Sequence, residues 1–316
     1  MSKIPRYYGI KKRYPRLPGD KWKAYLQMIR PFTVFAAGLA GIFLGITFTL
    51  LSGGTFGDGK VILLGLTLGL LQAGGQCFNL SYPKEIEIDK INKPYRPTVT
   101  GLVTTKSGFI LSFILFGIGN STAFLLGLEA GIVSLVITLF AIFYTASPIR
   151  AKERFMVGNI YQGIARGLLP PIFASMIFGF YEFAIVYGIA IALWITGFQS
   201  TKDFDDIEGD RQFGIKTLPV VLGRRGTISA MMVMLIASSV PLYLGFALGI
   251  IPNEPIWFLI FAPLIISIKI LTTLKKDVKM VRMENSLSWV YFYLTLMFWF
   301  LIPMAIVGTK YVNSVL

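Results

Sequence analysis

The sequence contains no histidine and only one cysteine, Cys77. Without histidine, the chain lacks the usual imidazole ligand of haem iron, the ligand of most zinc sites and the commonest general base. A lone cysteine also excludes a disulfide within the chain. A metal site would therefore have to use oxygen ligands, which select a hard ion.

Charged residues are scarce, at 15% of the chain against 54% hydrophobic residues, and the mean hydropathy is +0.67. The apolar stretches do not alternate with polar faces as in a soluble core. About twenty residues at a rise of 1.5 Å cross a hydrocarbon layer of ~30 Å. The composition therefore predicts an all-α integral membrane protein with about nine transmembrane helices. The predicted spans are 32–51, 60–81, 107–126, 130–147, 158–178, 181–200, 227–250, 255–274 and 288–308.

Acidic residues are fewer than basic ones, 16 against 30, and the basic residues are unevenly placed. All except Lys60, Arg166 and Lys310 precede the first span or lie in or beside the loops after the second, fourth, sixth and eighth. The positive-inside rule then predicts a cytoplasmic N-terminus and an outside C-terminus in the cell membrane. We expect residues 1–30 to be a basic cytoplasmic segment and 31–316 to be a single transmembrane domain. Membrane lipid is a predicted partner, and nucleic acid is not, because no basic soluble domain exists to bind it.

Acidic residues are grouped in two runs of the sequence, Asn79 to Asp89 and Asp203 to Asp210. Each run begins where a hydrophobic span ends, the second span and the sixth. Grouped carboxylates repel one another and need a cation to be stable together. Because the chain faces the same way after four spans, this placement predicts two pseudo-repeated four-helix halves with a ninth helix appended. We expect a bundle around a central cavity, with both acidic runs over its cytoplasmic mouth.

The spacing within each run indicates which carboxylates act together. Asp206 and Asp210 stand at i and i+4, with Asp203 one turn earlier, and Glu85 and Asp89 repeat the i, i+4 spacing. Mg²⁺ prefers a few carboxylates plus phosphate oxygens over a complete protein cage. Two facing clusters therefore suit a magnesium-bound diphosphate. The acidic side chains expected to face elsewhere are Glu87, Asp205 and Glu208.

Two further segments accompany the acidic runs, NKPYRP at Asn92 to Pro97 and KDFDDIEGDR at Lys202 to Arg211. On these motifs the chain resembles the UbiA superfamily of intramembrane prenyltransferases. Members of that family carry NDxxDxxxD after the second helix, then a segment like DKINKPYRP, and DxxDxxxD after the sixth. The first motif departs from this pattern here. Leu80 follows Asn79 where an Asp is usual, Pro83-Lys84 looks like an insertion that must interrupt the helix, and Glu85 replaces an Asp.

The resemblance implies a Mg²⁺-dependent transfer of a polyprenyl group from an allylic polyprenyl diphosphate to a lipophilic acceptor, with release of diphosphate. Metal stabilises the charge that develops on the leaving group. The implied metal ligands are Glu85, Asp89, Asp203, Asp206 and Asp210. The implied catalytic residues are Asp89, Asp206, Asp210 and Lys202, and the implied diphosphate or substrate contacts are Asn79, Arg96, Arg150, Lys152 and Arg154.

Aromatic and charged side chains inside the spans supply further candidates. Tyr144, Tyr161 and Trp194 could shield an allylic carbocation, because a cation over an aromatic face gains ~0.5–2 kcal/mol. Aromatic residues of membrane proteins also pack or lie at the interface. Arg166 lies in mid-span at a cost of roughly 2.5–3.5 kcal/mol, so it should face the cavity, where a substrate contact and a structural hydrogen bond are both open.

The residues do not identify the acceptor. Related enzymes act on aromatic acids and quinone or tocopherol precursors, on tetrapyrroles, or on glycerol phosphate ether-lipid precursors as in digeranylgeranylglyceryl phosphate synthase. We lean towards an electron-rich aromatic acceptor. A cation-dependent membrane transporter is the alternative class of protein. Against it, the carboxylates lie at the membrane boundary, and the interiors of the predicted spans contain no Asp or Glu that could relay an ion.

Overall fold

The computed structural model describes residues 6–7, 10–11, 21–55, 57–276 and 286–315. Within these ranges the chain is almost entirely helical. The described strands are Arg6–Tyr7 and Ile10–Lys11, which pair antiparallel. Among the described residues, eight helical segments are long and apolar enough to cross a membrane. The predicted all-α, multi-pass membrane architecture is thus confirmed.

The described helices follow one another along the chain. We number them α1 to α13, and three 3₁₀ segments and one π segment lie between them. The α-helices are α1 Lys21–Ile29, α2 Pro31–Leu51, α3 Gly59–Ser81, α4 Pro83–Asn92, α5 Thr105–Leu126, α6 Leu128–Thr145, α7 Val157–Gly163, α8 Leu169–Phe178, α9 Tyr181–Phe198, α10 Ile207–Gln212, α11 Leu218–Ala247, α12 Ala262–Lys276 and α13 Ser286–Val315. The 3₁₀ segments are Ala151–Glu153, Gln199–Asp205 and Pro255–Phe261, and the π segment is Ile164–Leu168.

The fifth predicted span, 158–178, differs from the other eight. Its residues are helical, but they divide into α7, the π segment and α8. No part of it is therefore an uninterrupted helix of spanning length, and it is absent from the eight candidates. The count of nine spans and the pseudo-repeat of two halves stay predictions.

Helices α2 and α3 approach each other closely through glycine. A Cβ atom added to Gly41 would lie 2.7 Å from the Cα atom of Gly65, well inside van der Waals contact. Helices in lipid gain little from hydrophobic association, so close backbone packing at small residues is a main source of their affinity. This contact fixes α3, which carries the first acidic run at its end.

The two acidic runs lie where α3 and α9 end and on the short helical segments that follow them. Helix α3 ends at Ser81, Tyr82 is extended, and Pro83 occupies the first turn of α4, where its missing N–H costs nothing. The predicted interruption at Pro83 is confirmed. The second run occupies the 3₁₀ segment Gln199–Asp205 and α10, which follow α9.

Asn92 and Gly209 hold the two acidic segments together. The Asn92 side-chain amide donates to the carbonyl of Asp206 at 3.1 Å, and its oxygen accepts from the Gly209 N–H at 3.0 Å. A Cβ atom at Gly209 would lie 2.6 Å from both amide atoms of Asn92, so a larger residue there would displace the contact. Helices α4 and α10 are therefore held side by side.

The close contact between α2 and α3 predicts a position-specific effect on stability. Gly41→Ala should lower the free energy of unfolding by about 1–3 kcal/mol, because its new methyl group meets only backbone atoms. Thermal unfolding of the detergent-solubilised protein measures this. Gly117→Ala in α5 is the matched control, since a Cβ atom there has nothing within 4 Å. An unfolding temperature of Gly41→Ala equal to that of Gly117→Ala would contradict the packing argument.

Candidate active site

A cavity inside the helical bundle brings the two acidic runs together. Its acidic residues lie on the segments that follow α3 and α9, and its apolar residues lie along the membrane-spanning helices. The cavity can therefore receive a molecule with an anionic head and a hydrocarbon tail. The apolar lining includes Ala36, Ala40, Leu68, Leu71, Ile137, Leu296 and Phe300.

The second run supplies three carboxylates to the cavity, those of Asp203, Asp206 and Asp210. Asp206 forms an ion pair with Lys93 of the first segment. Asp203 lies 3.8 Å from the ammonium group of Lys202. Glu208 is exposed outside the cavity, as the spacing predicts, and the side chain of Asp205 lies outside the described part of the chain.

Asp210 is the member of this cluster with the least compensation. Its carboxylate accepts a long hydrogen bond of 3.4 Å from the Thr217 hydroxyl, and no described cation lies within ion-pair distance of it. Burial, and then the neighbouring Asp206 carboxylate, raise the pKa of Asp210 to about 8. A bound cation would remove this unfavourable charge.

The first run supplies Asp89, which is buried and accepts a hydrogen bond from the Arg96 guanidinium. Burial raises the pKa of Asp89, while Arg96 and Lys93 oppose that rise. Glu87 points away from the cavity and pairs with Lys90 on the exposed surface. The predicted division of this run into inward and outward carboxylates agrees with these positions.

Glu85 is buried and lines the cavity, but cations occupy both of its oxygens. Oε1 accepts from Arg150 at 2.8 Å, and Oε2 accepts from Lys152. Arg150 also donates to the Thr145 carbonyl at 2.6 Å and lies 5.1 Å from the centre of the Tyr82 ring. Glu85 thus orders the loop that carries Lys152. Its oxygens could ligate a metal only if these ion pairs opened.

The donor set fits a magnesium ion that completes its coordination with phosphate. The described residues contain no group of three His, Cys, Asp or Glu side chains that could hold a metal ion by themselves. Asp89, Asp203, Asp206 and Asp210 nevertheless line one cavity with oxygen donors only. Mg²⁺ is usually held by one or two carboxylates, waters and substrate phosphates rather than by an all-protein cage.

Most of the other predicted site residues also reach the cavity. Asn79 lines it and donates to the Thr145 hydroxyl at 2.9 Å. The remaining predicted residues in the lining are Arg96, Tyr144, Lys152, Arg154, Arg166 and Lys202.

Three predicted residues are not brought to the cavity. Arg150 lies behind Glu85, as described above. Tyr161 stacks on Phe140 with ring centres 4.3 Å apart, so its neighbour rather than Tyr161 itself faces the cavity. Trp194 is fully buried, stacks on Phe292 at 5.5 Å and donates to the Ser267 hydroxyl at 2.7 Å. Packing in the core, and not cation shielding, accounts for Trp194.

The structure adds cavity residues that sequence reasoning missed. Lys93 belongs to the NKPYRP motif, so its position near Arg96 in the sequence could have indicated a site residue. Arg30 is the last basic residue before the first span, and Tyr293 is one of several aromatic residues in the ninth span. Nothing in the sequence distinguishes these two. Their roles depend on contacts between distant parts of the chain. The missed residues that line the cavity include Arg30, Gln76, Asn92, Lys93, Lys216 and Tyr293.

Comparison with known proteins supports an enzyme of this architecture. Residues 38–302 match the UbiA prenyltransferase family. The chain is 31% identical over 241 residues to the digeranylgeranylglyceryl phosphate synthase of Thermococcus gammatolerans, covering 74% of this chain and 83% of that one. It is also 31% identical over 236 residues to the enzyme of the same name from Sulfurisphaera tokodaii, covering 71% and 80%.

Two solved structures show the same fold. A digeranylgeranylglyceryl phosphate synthase superimposes with a TM-score of 0.62 at 23% identity, over 90% of this chain and 99% of that one. A UbiA homologue from Archaeoglobus fulgidus bound to DMAPP and Mg²⁺ superimposes with a TM-score of 0.71 at 16% identity, over 90% and 99%.

The buried and poorly compensated carboxylate of Asp210 makes this residue the sharpest test of the metal assignment. Asp210→Asn should remove Mg²⁺-dependent turnover while leaving the protein folded, because the uncompensated carboxylate is lost and its shape is kept. Diphosphate release across a Mg²⁺ titration measures this. Glu208→Gln is the matched control on the same helix, since Glu208 is exposed. Full activity of Asp210→Asn would exclude Asp210 as a metal ligand.

The ion pairs of Glu85 predict a structural effect of its removal. Glu85→Ala removes one of the two carboxylates that pair with the buried Arg150, the other being Glu153, and it removes the carboxylate that pairs with Lys152. Loss of these buried pairs should destabilise the protein by about 3–5 kcal/mol. Glu87→Ala should cost at most about 1 kcal/mol, because its pair with Lys90 is exposed. Thermal unfolding measures both variants. An unchanged unfolding temperature together with weakened Mg²⁺ dependence in Glu85→Ala would instead favour the metal-ligand role.

Proposed function

The chain belongs to the UbiA prenyltransferase family, and from this premise we propose that it transfers a geranylgeranyl group from geranylgeranyl diphosphate to a prenylated glycerol phosphate. The main support for this proposal is the sequence similarity, over about three quarters of the chain, to relatives named digeranylgeranylglyceryl phosphate synthase. This supports the glycerol phosphate alternative better than the aromatic acceptor favoured from sequence. Because the chain belongs to a family of enzymes, we no longer favour the transporter hypothesis.

The donor's diphosphate would bind between the two acidic runs. Asp89, Asp203, Asp206 and Asp210 are the proposed Mg²⁺ ligands, and the homologue bound to DMAPP and Mg²⁺ is consistent with that ion. When bound, Mg²⁺ supplies positive charge that stabilises the leaving diphosphate.

The cations around the carboxylates would complete the binding of the diphosphate. Lys202, Lys152 and Arg154 line the cavity near the carboxylates, and their N–H groups could donate to phosphate oxygens. Lys93 and Arg96, held by Asp206 and Asp89, would keep the carboxylates oriented. The allylic chain would extend along the apolar lining, which excludes water from the reacting carbon.

The transfer exchanges one carbon–oxygen bond for another. The bond between C1 of the donor and the diphosphate oxygen breaks, and both electrons leave with diphosphate. The glycerol hydroxyl oxygen of the acceptor then bonds to C1 and forms an ether, and the hydroxyl proton must pass to a base. With no histidine in the chain, that base is a carboxylate or the released diphosphate. Tyr144 lines the cavity and is the proposed aromatic contact for the allylic cation.

The location of the site follows from charge. The cavity mouth lies among the basic loops after α3, α6 and α9, and such loops are retained in the cytoplasm. We therefore propose a cytoplasmic N-terminus and an active site that opens to the cytoplasm.

Diphosphate release by the purified protein tests this function directly. We expect release from geranylgeranyl diphosphate only with both Mg²⁺ and geranylgeranylglyceryl phosphate, and no release with aromatic acids, quinone precursors or tetrapyrroles. The product should contain a second ether-linked chain by mass spectrometry. Release with an aromatic acceptor alone would overturn the proposed acceptor and restore the aromatic hypothesis. Absence of Mg²⁺-dependent release with every pair would overturn the proposed reaction.

A further inference from the structure

Arg166 occupies the π segment Ile164–Leu168, inside the fifth predicted span. A π segment interrupts the regular hydrogen bonding of an α-helix and often occurs at functional sites. Gly167 beside it packs backbone to backbone against α9, since a Cβ atom there would lie 2.5 Å from the Ala192 nitrogen. Arg166 itself lines the cavity. The segment is therefore anchored on one neighbour while it presents a charge to the cavity.

Arg166 differs from the cavity cations that have carboxylate partners. Lys93, Arg96 and Lys152 are paired with Asp206, Asp89 and Glu85. Arg166 donates one long hydrogen bond, 3.5 Å, to the Tyr293 hydroxyl, and no carboxylate among the described residues lies within ion-pair distance of it. A charge placed inside a membrane span without a counter-charge is costly, which makes a bound anion its natural complement.

Arg30 adds a second guanidinium to the same part of the cavity. It lies at the start of α2, lines the cavity and donates to the Gln76 side chain at 3.0 Å. Burial, then the positive charge of Arg96 and more weakly that of Arg166, lower the pKa of Arg30 to about 10. The Tyr293 hydroxyl interacts with both guanidinium groups. This part of the cavity thus has concentrated positive charge.

We propose that Arg166, together with Arg30, binds the phosphate of the acceptor lipid at a subsite separate from the carboxylates assigned to the donor diphosphate. The inference rests on the proposed function, in which the acceptor has a phosphate. Guanidinium groups match phosphate oxygens with paired N–H donors, so they suit this role better than a point charge. Binding there would select acceptors with a phosphate and orient the glycerol hydroxyl.

Lys202 is a further cation close to both groups of residues. It lies 3.8 Å from Asp203, and it also interacts electrostatically with Arg166 and Tyr293. Two phosphate-bearing substrates repel each other, and a nearby cation reduces that repulsion as they approach.

The test compares two acceptors that differ only in the phosphate, geranylgeranylglyceryl phosphate and the corresponding geranylgeranylglycerol. In Arg166→Gln we expect kcat/KM for the phosphate acceptor to fall by about ten- to a hundredfold, the range for a lost charged hydrogen bond. The value for the alcohol and the KM for the donor should stay unchanged. Arg225→Gln is the matched control, because Arg225 is exposed and does not line the cavity.

Each other outcome overturns the proposal in a different way. Equal losses with both acceptors would mean that Arg166 is structural, and a raised donor KM would mean that it binds the donor diphosphate. A wild-type protein inactive with the phosphate acceptor would overturn the proposed function as well. If Arg166→Gln does not fold, the variant Arg166→Lys tests the proposal instead. It keeps the charge without the paired donors, so it should lose activity with the phosphate acceptor and retain activity with the alcohol.

Discussion

The structure depends on the compensation of carboxylates buried at the mouth of a membrane-embedded cavity. Burying a charge is costly unless the charge is paired and hydrogen-bonded. Lys93 of the first segment pairs with Asp206 of the second, and Asn92 bonds to the backbone of the second segment at Asp206 and Gly209. The same contacts that lower the cost of burial therefore also hold the two acidic segments together, and with them the ends of α3 and α9.

The carboxylates of this cluster differ in how well nearby groups compensate their negative charge, and this difference favours binding of a cation. Asp89 has Arg96 as its partner, whereas Asp210 has only the Thr217 hydroxyl among the described contacts. Excess negative charge near Asp210 favours a divalent cation, and the surrounding ammonium and guanidinium groups favour the phosphate that such a cation would carry. The cavity is thus suited to the pair of ions rather than to either one alone.

Features encoded locally could be predicted from the sequence. Apolar length predicted the eight described helices of spanning length, although the fifth predicted span is divided. The i, i+4 spacing separated Asp210 from Glu208, and Pro83 marked the break after α3. Features that depend on distant contacts could not. The two partners of Glu85 are more than sixty residues away in sequence, so a motif comparison assigned it to the metal. The π segment around Arg166 packs tightly against α9, a contact between separate helices. No local residue pattern therefore predicts it.

The two substrates of the proposed reaction place opposite demands on one cavity, since each has a phosphate group and their reacting atoms must meet. A single cationic site would draw both phosphates to the same place and would leave the glycerol hydroxyl without a defined position. Separate sites of different chemistry remove this competition: carboxylates accept a phosphate only through a metal ion, whereas guanidinium groups accept it directly. In the proposed reaction the acidic runs would therefore bind the donor through the metal ion, and Arg30 and Arg166 would bind the acceptor directly.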